Sequence, residues 1–379
     1  LTGTPVDWTT VLPNAHPVQL PTYAFQHKRY WLDATTGAGD VTAAGLQQAG
    51  HPLLGATMEL AGTDRTVFSG QISVASHGWL ADHAVHSTVL VPGTALVELA
   101  LRTGDEVGCD RLEELTLQAP LVLPETGAVQ LQVAVGETDA EGRRTVEIHS
   151  RPEQDMAETA WTCHALGALT EGDTCPAPAA LVGVWPPQDA QSVGIDDFYD
   201  GLIDRGFTYG PAFQGLRQVW RRGDEVFAEV ALPEEAADTA DAFGVHPALL
   251  DAALHAMNFV SVSESSGTPL PFLWSGVSLH AVGATALRVR IAPDEARGGM
   301  TVDLFDEAGL PVVSVESLVL REVSPEQLAI PDDADSLFRV EWVPVPDRPG
   351  QGTSWAVLGH GPLADGGAVF EDVEALLAA

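Results

Sequence analysis

Basic residues are scarce in this chain: 18 Lys and Arg stand against 53 Asp and Glu, a formal charge of −35 over 379 residues. Such a surface repels phosphate backbones and anionic headgroups, which argues against nucleic acid and acidic membrane as partners. An acidic protein partner gains no attraction either, so recruiting one relies on covalent tethering and effective concentration. Cysteine is nearly missing too. Cys109, Cys163 and Cys175 are an odd set without metal-type spacing, as expected for free thiols in a reducing cytoplasm. No apolar run approaches the ~20 residues of a membrane span, and no signal peptide is visible. The chain opens Leu1-Thr2-Gly3 without a Met and reads as a piece of something longer.

What is present is mostly strand pattern. Val129, Leu131, Val133 and Val135 alternate with Gln130, Gln132 and Ala134, and Val146 and Ile148 do the same after the Glu141-Gly142 turn. Leu287, Val289 and Ile291 alternate with Arg288 and Arg290, and a hairpin is expected around Asp306-Glu307-Ala308-Gly309. Residues 171–192 are Pro/Ala-rich and divide the strands into two sets. Each set contains one apolar helix with proline at its start. The first follows Pro92-Gly93, with Leu96, Leu99, Ala100 and Thr103 on one face; the second opens at His246-Pro247. The pattern is an internal duplication of an α+β unit. Five segments are expected: 1–50 a linker, 51–175 and 196–325 the two halves, 176–195 the connection between them, and 326–379 a linker leading into another domain.

Two places carry ionisable groups where apolar ones would be cheaper. His83 lies in the apolar stretch that leads to Pro92, where the free amides of a helix start can stabilise developing negative charge. Asp251 and His255 are spaced i, i+4 beside the Leu250, Leu254, Met257 core stripe, so both lie on one helix face. A helix-dipole acid with a satisfied histidine accounts for the pair equally well. His77, His83 and His86 do not have a metal-binding spacing. His51 and His246 each precede a proline and are expected to be local hydrogen-bonders, and Cys163 a strand residue.

These stretches resemble dehydratase domains of bacterial modular polyketide synthases. His83 through Pro92 looks like their His-x-x-x-Gly-x-x-x-x-Pro motif, with Ser87 in place of the glycine. Tyr209-Gly210-Pro211-Ala212-Phe213 is similar to Tyr-Gly-Pro-x-Phe, Asp251 to His255 to Asp-x-x-x-Gln/His, and Leu270-Pro271-Phe272-Leu273-Trp274 to Leu-Pro-Phe-x-Trp. The phrase at 20–31 resembles the segment after acyltransferase domains, and 337–359 the start of a ketoreductase structural subdomain without a cofactor motif. The resemblance implies a double hotdog, two curved antiparallel sheets each wrapped around a helix. It further implies a homodimer, neighbouring domains of one synthase, and a substrate held on the phosphopantetheine arm of an acyl carrier protein, with no other cofactor and no metal.

Removing water from a β-hydroxyacyl thioester requires a base for the α-proton and an acid for the leaving hydroxide. The resemblance assigns these to His83 and Asp251. Burial lowers a histidine pKa and raises an aspartate pKa, so both are expected to shift in the useful direction. Gly93 is the candidate for stabilising the enolate with its amide, and Tyr209 for bonding Asp251 or the hydroxyl. Pro92, Gly210, Pro211, Phe213, His255, Leu270 and Trp274 are expected to support them. The same residues could instead migrate a double bond or close a ring by oxa-conjugate addition, or the domain could be a silent scaffold.

Overall fold

The computed structural model describes residues 41–153, 160–172, 177–181, 183–260, 268–294, 296–323, 356–358 and 368–370. Its first compact unit runs to Ala329. In the first half of that unit the strands are β1 (Gln47–His51), β2 (Leu54–Glu59), β3 (Thr66–Ile72), β4 (His83–Val85), β5 (Thr88–Val91), β6 (Arg111–Leu117), β7 (Leu121–Val122), β8 (Val129–Thr138), β9 (Arg143–Pro152) and β10 (Thr162–Thr170). The second half supplies β11 (Gln191–Val193), β12 (Phe207–Tyr209), β13 (Leu216–Arg222), β14 (Glu225–Ala231), β15 (Thr268–Leu279), β16 (Ala286–Asp294), β17 (Gly299–Phe305) and β18 (Pro311–Val323). The helices that matter below are α1 (Gly93–Glu106), α2 (Phe198–Asp204) and α3 (Pro247–His255).

Fourteen strands make one antiparallel sheet in the order β1-β2-β3-β8-β9-β10-β6-β15-β18-β17-β16-β14-β13-β11. The halves meet at β6 and β15, where Leu112 pairs with Val277 and Leu115 with Trp274. All four of these side chains are fully buried, so the seam is core rather than a loose contact. The alternation read along 129–135 is borne out on β8, whose apolar residues are buried while Gln130 and Gln132 are half-exposed. The fold is α+β: a double hotdog with α1 inside the first curved sheet and α3 inside the second.

Both helices begin where proline predicts. Pro92 is the N-cap of α1, and Pro247 is the first residue of α3, where its missing N–H costs nothing. Leu96, Val97, Leu99 and Leu101 of α1 are buried, each stabilising the fold by roughly 1.5–3 kcal/mol. Every residue of α3 is buried. His246 caps α3 by accepting from the Ala248 amide at 3.2 Å, and His51 accepts likewise from Leu53 at 3.2 Å. Among the described residues, no helix is long and apolar enough to cross a membrane.

A second, four-stranded sheet runs β12-β4-β5-β7 and is where the halves exchange strands. Strand β12 belongs to the second half, yet it pairs with β4 of the first, setting Tyr209 opposite His83 and Phe207 opposite Val85. Of the second compact unit, residues 330–379, two parallel strands are described, Ala356–Leu358 and Ala368–Phe370. The aromatic phrase at 20–31, residues 337–342 and Cys175 lie outside the described residues.

Candidate active site

His83 sits on β4 rather than at the helix start expected from the sequence, and it reaches α1 indirectly. Its Nδ1 lies 2.9 Å from the Leu90 carbonyl oxygen, on the strand that runs into Pro92. A carbonyl only accepts, so the ring proton is on Nδ1 and the lone pair of Nε2 is left for chemistry. Burial lowers the His83 pKa, with the Asp251 carboxylate and the Leu90 carbonyl working against it. The net shift is downward, so the ring is a neutral base near pH 7.

The β4–β5 hairpin turns through His86 and Ser87, whose φ angles of 47° and 64° are left-handed. Both side chains are exposed, so the Ser87 hydroxyl points away from His83 and does not reshape the site. The His86 amide donates to the Gly206 carbonyl at 2.7 Å. His77 is engaged with Ser76 and the Pro52 carbonyl, so the three histidines of this stretch face separate partners.

Asp251 enters from α3. It is 8% exposed, and its Oδ2 lies 3.2 Å from Nε2 of His255, one turn along. Tyr199 of α2 stands 3.3 Å from the other nitrogen, Nδ1 of His255, and its hydroxyl also accepts from the Leu216 amide at 3.0 Å. Burial pushes the Asp251 pKa up, as the sequence suggested, but the hydrogen bond from His255 and the charges of His83 and His255 outweigh it. The carboxyl ends below its ordinary value. The expected upward shift is therefore wrong for the free domain. Burial was legible in the sequence, whereas the compensating imidazoles on both sides depend on where β4 and α3 meet.

Tyr209 lies between the two groups. Its ring is 5.5 Å from His83 and 4.4 Å from His255, centroid to centroid. Burial first, and then the Asp251 charge, raise its pKa well above 10, so it remains a phenol able to donate. Phe213 closes the other side of His83 at 5.1 Å. The loop carrying both rings is fastened to the residue before the base: Asp82 accepts from the Ala212 amide through its side chain at 2.8 Å and from the Gly210 amide through its carbonyl at 2.8 Å. Gly210 must be glycine because a Cβ there would collide with the Asp82 side chain.

The remaining expected residues divide. Gly93 is the first residue of α1, so its amide is among the free N-terminal donors, and Leu117 at 2.8 Å leaves no room for a Cβ. Leu270 packs on the small apolar cluster of Val85, Leu90, Leu202 and Phe207 beneath the base hairpin. Trp274 is buried in the β6–β15 seam, and Pro211 is exposed, so neither stands with the polar cluster. Sequence reasoning missed Asp82, Tyr199 and Trp79, whose ring stacks on Phe213 at 5.9 Å. The adjacency of Asp82 to His83 was the one signal available.

The model for the polyketide synthase dehydratase domain matches residues 51–151, and that for the polyketide synthase dehydratase N-terminal domain matches 177–329. Polyketide synthase GfsA of Streptomyces halstedii is 52% identical over 99% of this chain, which spans 5% of that protein. The next two relatives are likewise matched over only 10% and 7% of their length. A solved structure from work on dehydratase substrate selection for the borrelidin and fluvirucin polyketide synthases is 46% identical. It has a TM-score of 0.71 and covers 76% of this chain and 100% of its own. Two solved inactive mutants of the CurK dehydratase, one with histidine changed to phenylalanine and one with aspartate changed to asparagine, are 26% identical. Their TM-scores are 0.64 and 0.65, over 73% of this chain and 99% of theirs. With both halves matched and more than half of the sequence shared with a relative along nearly its whole length, the chain belongs to the dehydratase domains of modular polyketide synthases, hydro-lyases that remove water from β-hydroxyacyl intermediates.

Proposed function

We propose that this domain dehydrates a β-hydroxyacyl thioester presented on an acyl carrier protein of the same synthase, with His83 as base and Asp251 as acid. The observation that carries the reading is the neutral, Nδ1-anchored His83 set within electrostatic reach of a buried carboxylate from the other half. Nε2 of His83 takes the α-proton, and the electron pair moves into the thioester carbonyl. The Gly93 amide at the start of α1 stabilises the resulting oxyanion. The enolate then expels the β-hydroxyl as Asp251 protonates it, leaving an α,β-unsaturated thioester and water. The CurK mutants named inactive carry exchanges of the same two residue types, which supports placing the roles at His83 and Asp251.

Asp251 must carry a proton when substrate is bound, although His255 and His83 hold its pKa down in the free domain. An acyl chain that displaces water from the carboxyl strengthens the burial effect and shifts it upward, supplying the acid form in the complex. Tyr209 donates to Asp251 or to the substrate hydroxyl, and Phe213 keeps water from the base. The substrate arm comes from a neighbouring domain, which is how a partner with no electrostatic attraction is recruited.

Mass spectrometry of a β-hydroxyacyl carrier incubated with the domain tests this directly. Loss of one water is expected; an unchanged mass with a moved alkene or a new ring indicates isomerase or cyclase chemistry, and no change indicates a silent scaffold. His83→Ala should abolish dehydration, and Asp251→Asn should lower it at least about a hundredfold, the usual scale for a positioned acid. Near-normal turnover in His83→Ala refutes the assignment.

A further inference from the structure

Helix α1 buries two polar side chains on one face. Thr94 and Glu98 are spaced i, i+4, at 0% and 1% exposure. Both reach across to the second half. The Thr94 hydroxyl donates to the Pro247 carbonyl at 3.0 Å, and the Gly244 amide donates to Glu98 Oε1 at 3.0 Å. The remaining oxygen, Oε2, lies 2.7 Å from Nε2 of His51 at the end of β1, out of line for a hydrogen bond. Because Nδ1 of His51 accepts from the Leu53 amide, the ring is neutral with its proton on Nε2, on the side facing the carboxylate.

Burying a carboxylate in this way is a poor route to stability, since an apolar side chain of similar volume would cost less. What the arrangement does provide is a fixed register between two helices that are otherwise packed through apolar surface. In an α-helix the Pro247 carbonyl is the acceptor one turn before residue 251, so Thr94 touches the same turn that ends at Asp251. Gly244 lies just ahead of that turn. On the other side, α1 begins directly after β5, whose Leu90 carbonyl holds His83. A continuous run of short polar contacts therefore leads from the base to the acid: His83, Leu90, Thr94 and Glu98, then Gly244 and Pro247, then Asp251.

We propose that Thr94 and Glu98 are positioning residues for dehydration, fixing the start of α3 and with it Asp251 against the half that carries His83. This rests on the His83–Asp251 reading. Their effect is on placement of the acid in the bound complex and not on capture of the acyl chain, so it falls on kcat and spares KM. Misplacement of a catalytic group by about 1 Å costs on the order of a hundredfold.

The test is steady-state dehydration of a β-hydroxyacyl carrier by the intact domain, with melting temperature measured on the same samples. Glu98→Met and Thr94→Val remove the contacts at nearly constant volume. Each should lower kcat about tenfold or more, with KM within about twofold and the melting temperature not lowered. Glu98→Gln keeps an oxygen for the Gly244 amide and should recover kcat to within about threefold of the parent. If Glu98→Met does not fold, Thr94→Val decides alone. Values of kcat within about twofold of the parent in both variants overturn the proposal. So does a parallel fall of kcat and melting temperature that Glu98→Gln does not repair, because that is a structural role. His83→Ala and Asp251→Asn run alongside. If either turns over normally, the assignment of base and acid has failed; if both are inactive while Glu98→Met and Thr94→Val are normal, only the positioning role has failed.

Discussion

Ser87 occupies a left-handed turn position at φ 64°, next to His86 at 47°. The left-handed conformation costs an L-residue roughly 1–2 kcal/mol because its Cβ crowds the following carbonyl. Glycine escapes that cost but gives back about 0.5–1 kcal/mol of chain entropy on folding. The Ser87 side chain is exposed, so removing it forfeits little packing. Ser87→Gly should therefore stabilise the domain by about 0.5–1 kcal/mol, which for a unit of this size raises the melting temperature by roughly 1–4 °C. Ser87→Ala is the control, since it removes the hydroxyl and keeps the Cβ; it should leave the melting temperature within about 1 °C of the parent. Thermal unfolding followed by circular dichroism at matched concentration reads both. A Ser87→Gly domain that melts at or below the parent, or an alanine variant that gains as much as glycine, would show that the turn is not where the energy lies.

Two further predictions concern charge and boundaries. Since His83 must be neutral, activity should rise with pH through a pKa below the ordinary 6.5 and be fully developed by pH 7. Since Asp251 must be protonated, activity falls as pH rises through its pKa. His255 is one of the groups that lower it, so His255→Leu should move the alkaline limb of the kcat/KM profile upward; a limb that stays or moves down contradicts the pairing. Removing residues 330–379 should leave the melting temperature and turnover of the first unit nearly unchanged, as differential scanning calorimetry and the dehydration assay would show. A drop of many degrees would place the boundary elsewhere.

Much of the fold was legible because burial and alternation coincide in it. Val129 to Val135 and Leu287 to Ile291 lie on long strands with one face in the core, where period two is unavoidable. The helix starts were legible because proline has few places to go, and Pro92 and Pro247 each sit at one. The exchange of β12 with β4 was not legible. Three residues, Phe207–Tyr209, are too short to carry a period, and their partner is a distant segment. That exchange brings Tyr209 against His83, so the geometry of the site was hidden with it. Asp82 and Tyr199 escaped for a related reason: each acts through one bond to a distant amide or ring, and a single polar letter gives no pattern. Ser87 drew attention as a change at a motif position, yet its exposure leaves it a matter of turn energetics.

The pairing of β12 with β4 also has a consequence for how the protein is made. More than a hundred residues separate Val85 from its partner Phe207, so on a ribosome adding about 5–20 residues per second the base hairpin emerges roughly 6–25 s before the strand that completes its sheet. During that interval the nascent first half can close its own curved sheet around α1 while one edge of β4 stays bare. Its three residues offer a stray chain little to pair with. A nascent chain halted before residue 207 would carry His83 without Tyr209, Phe213 or Asp251, and so could neither hold an acyl group for elimination nor protonate one. Catalytic competence is thus acquired in a single late step of synthesis, when the second half arrives.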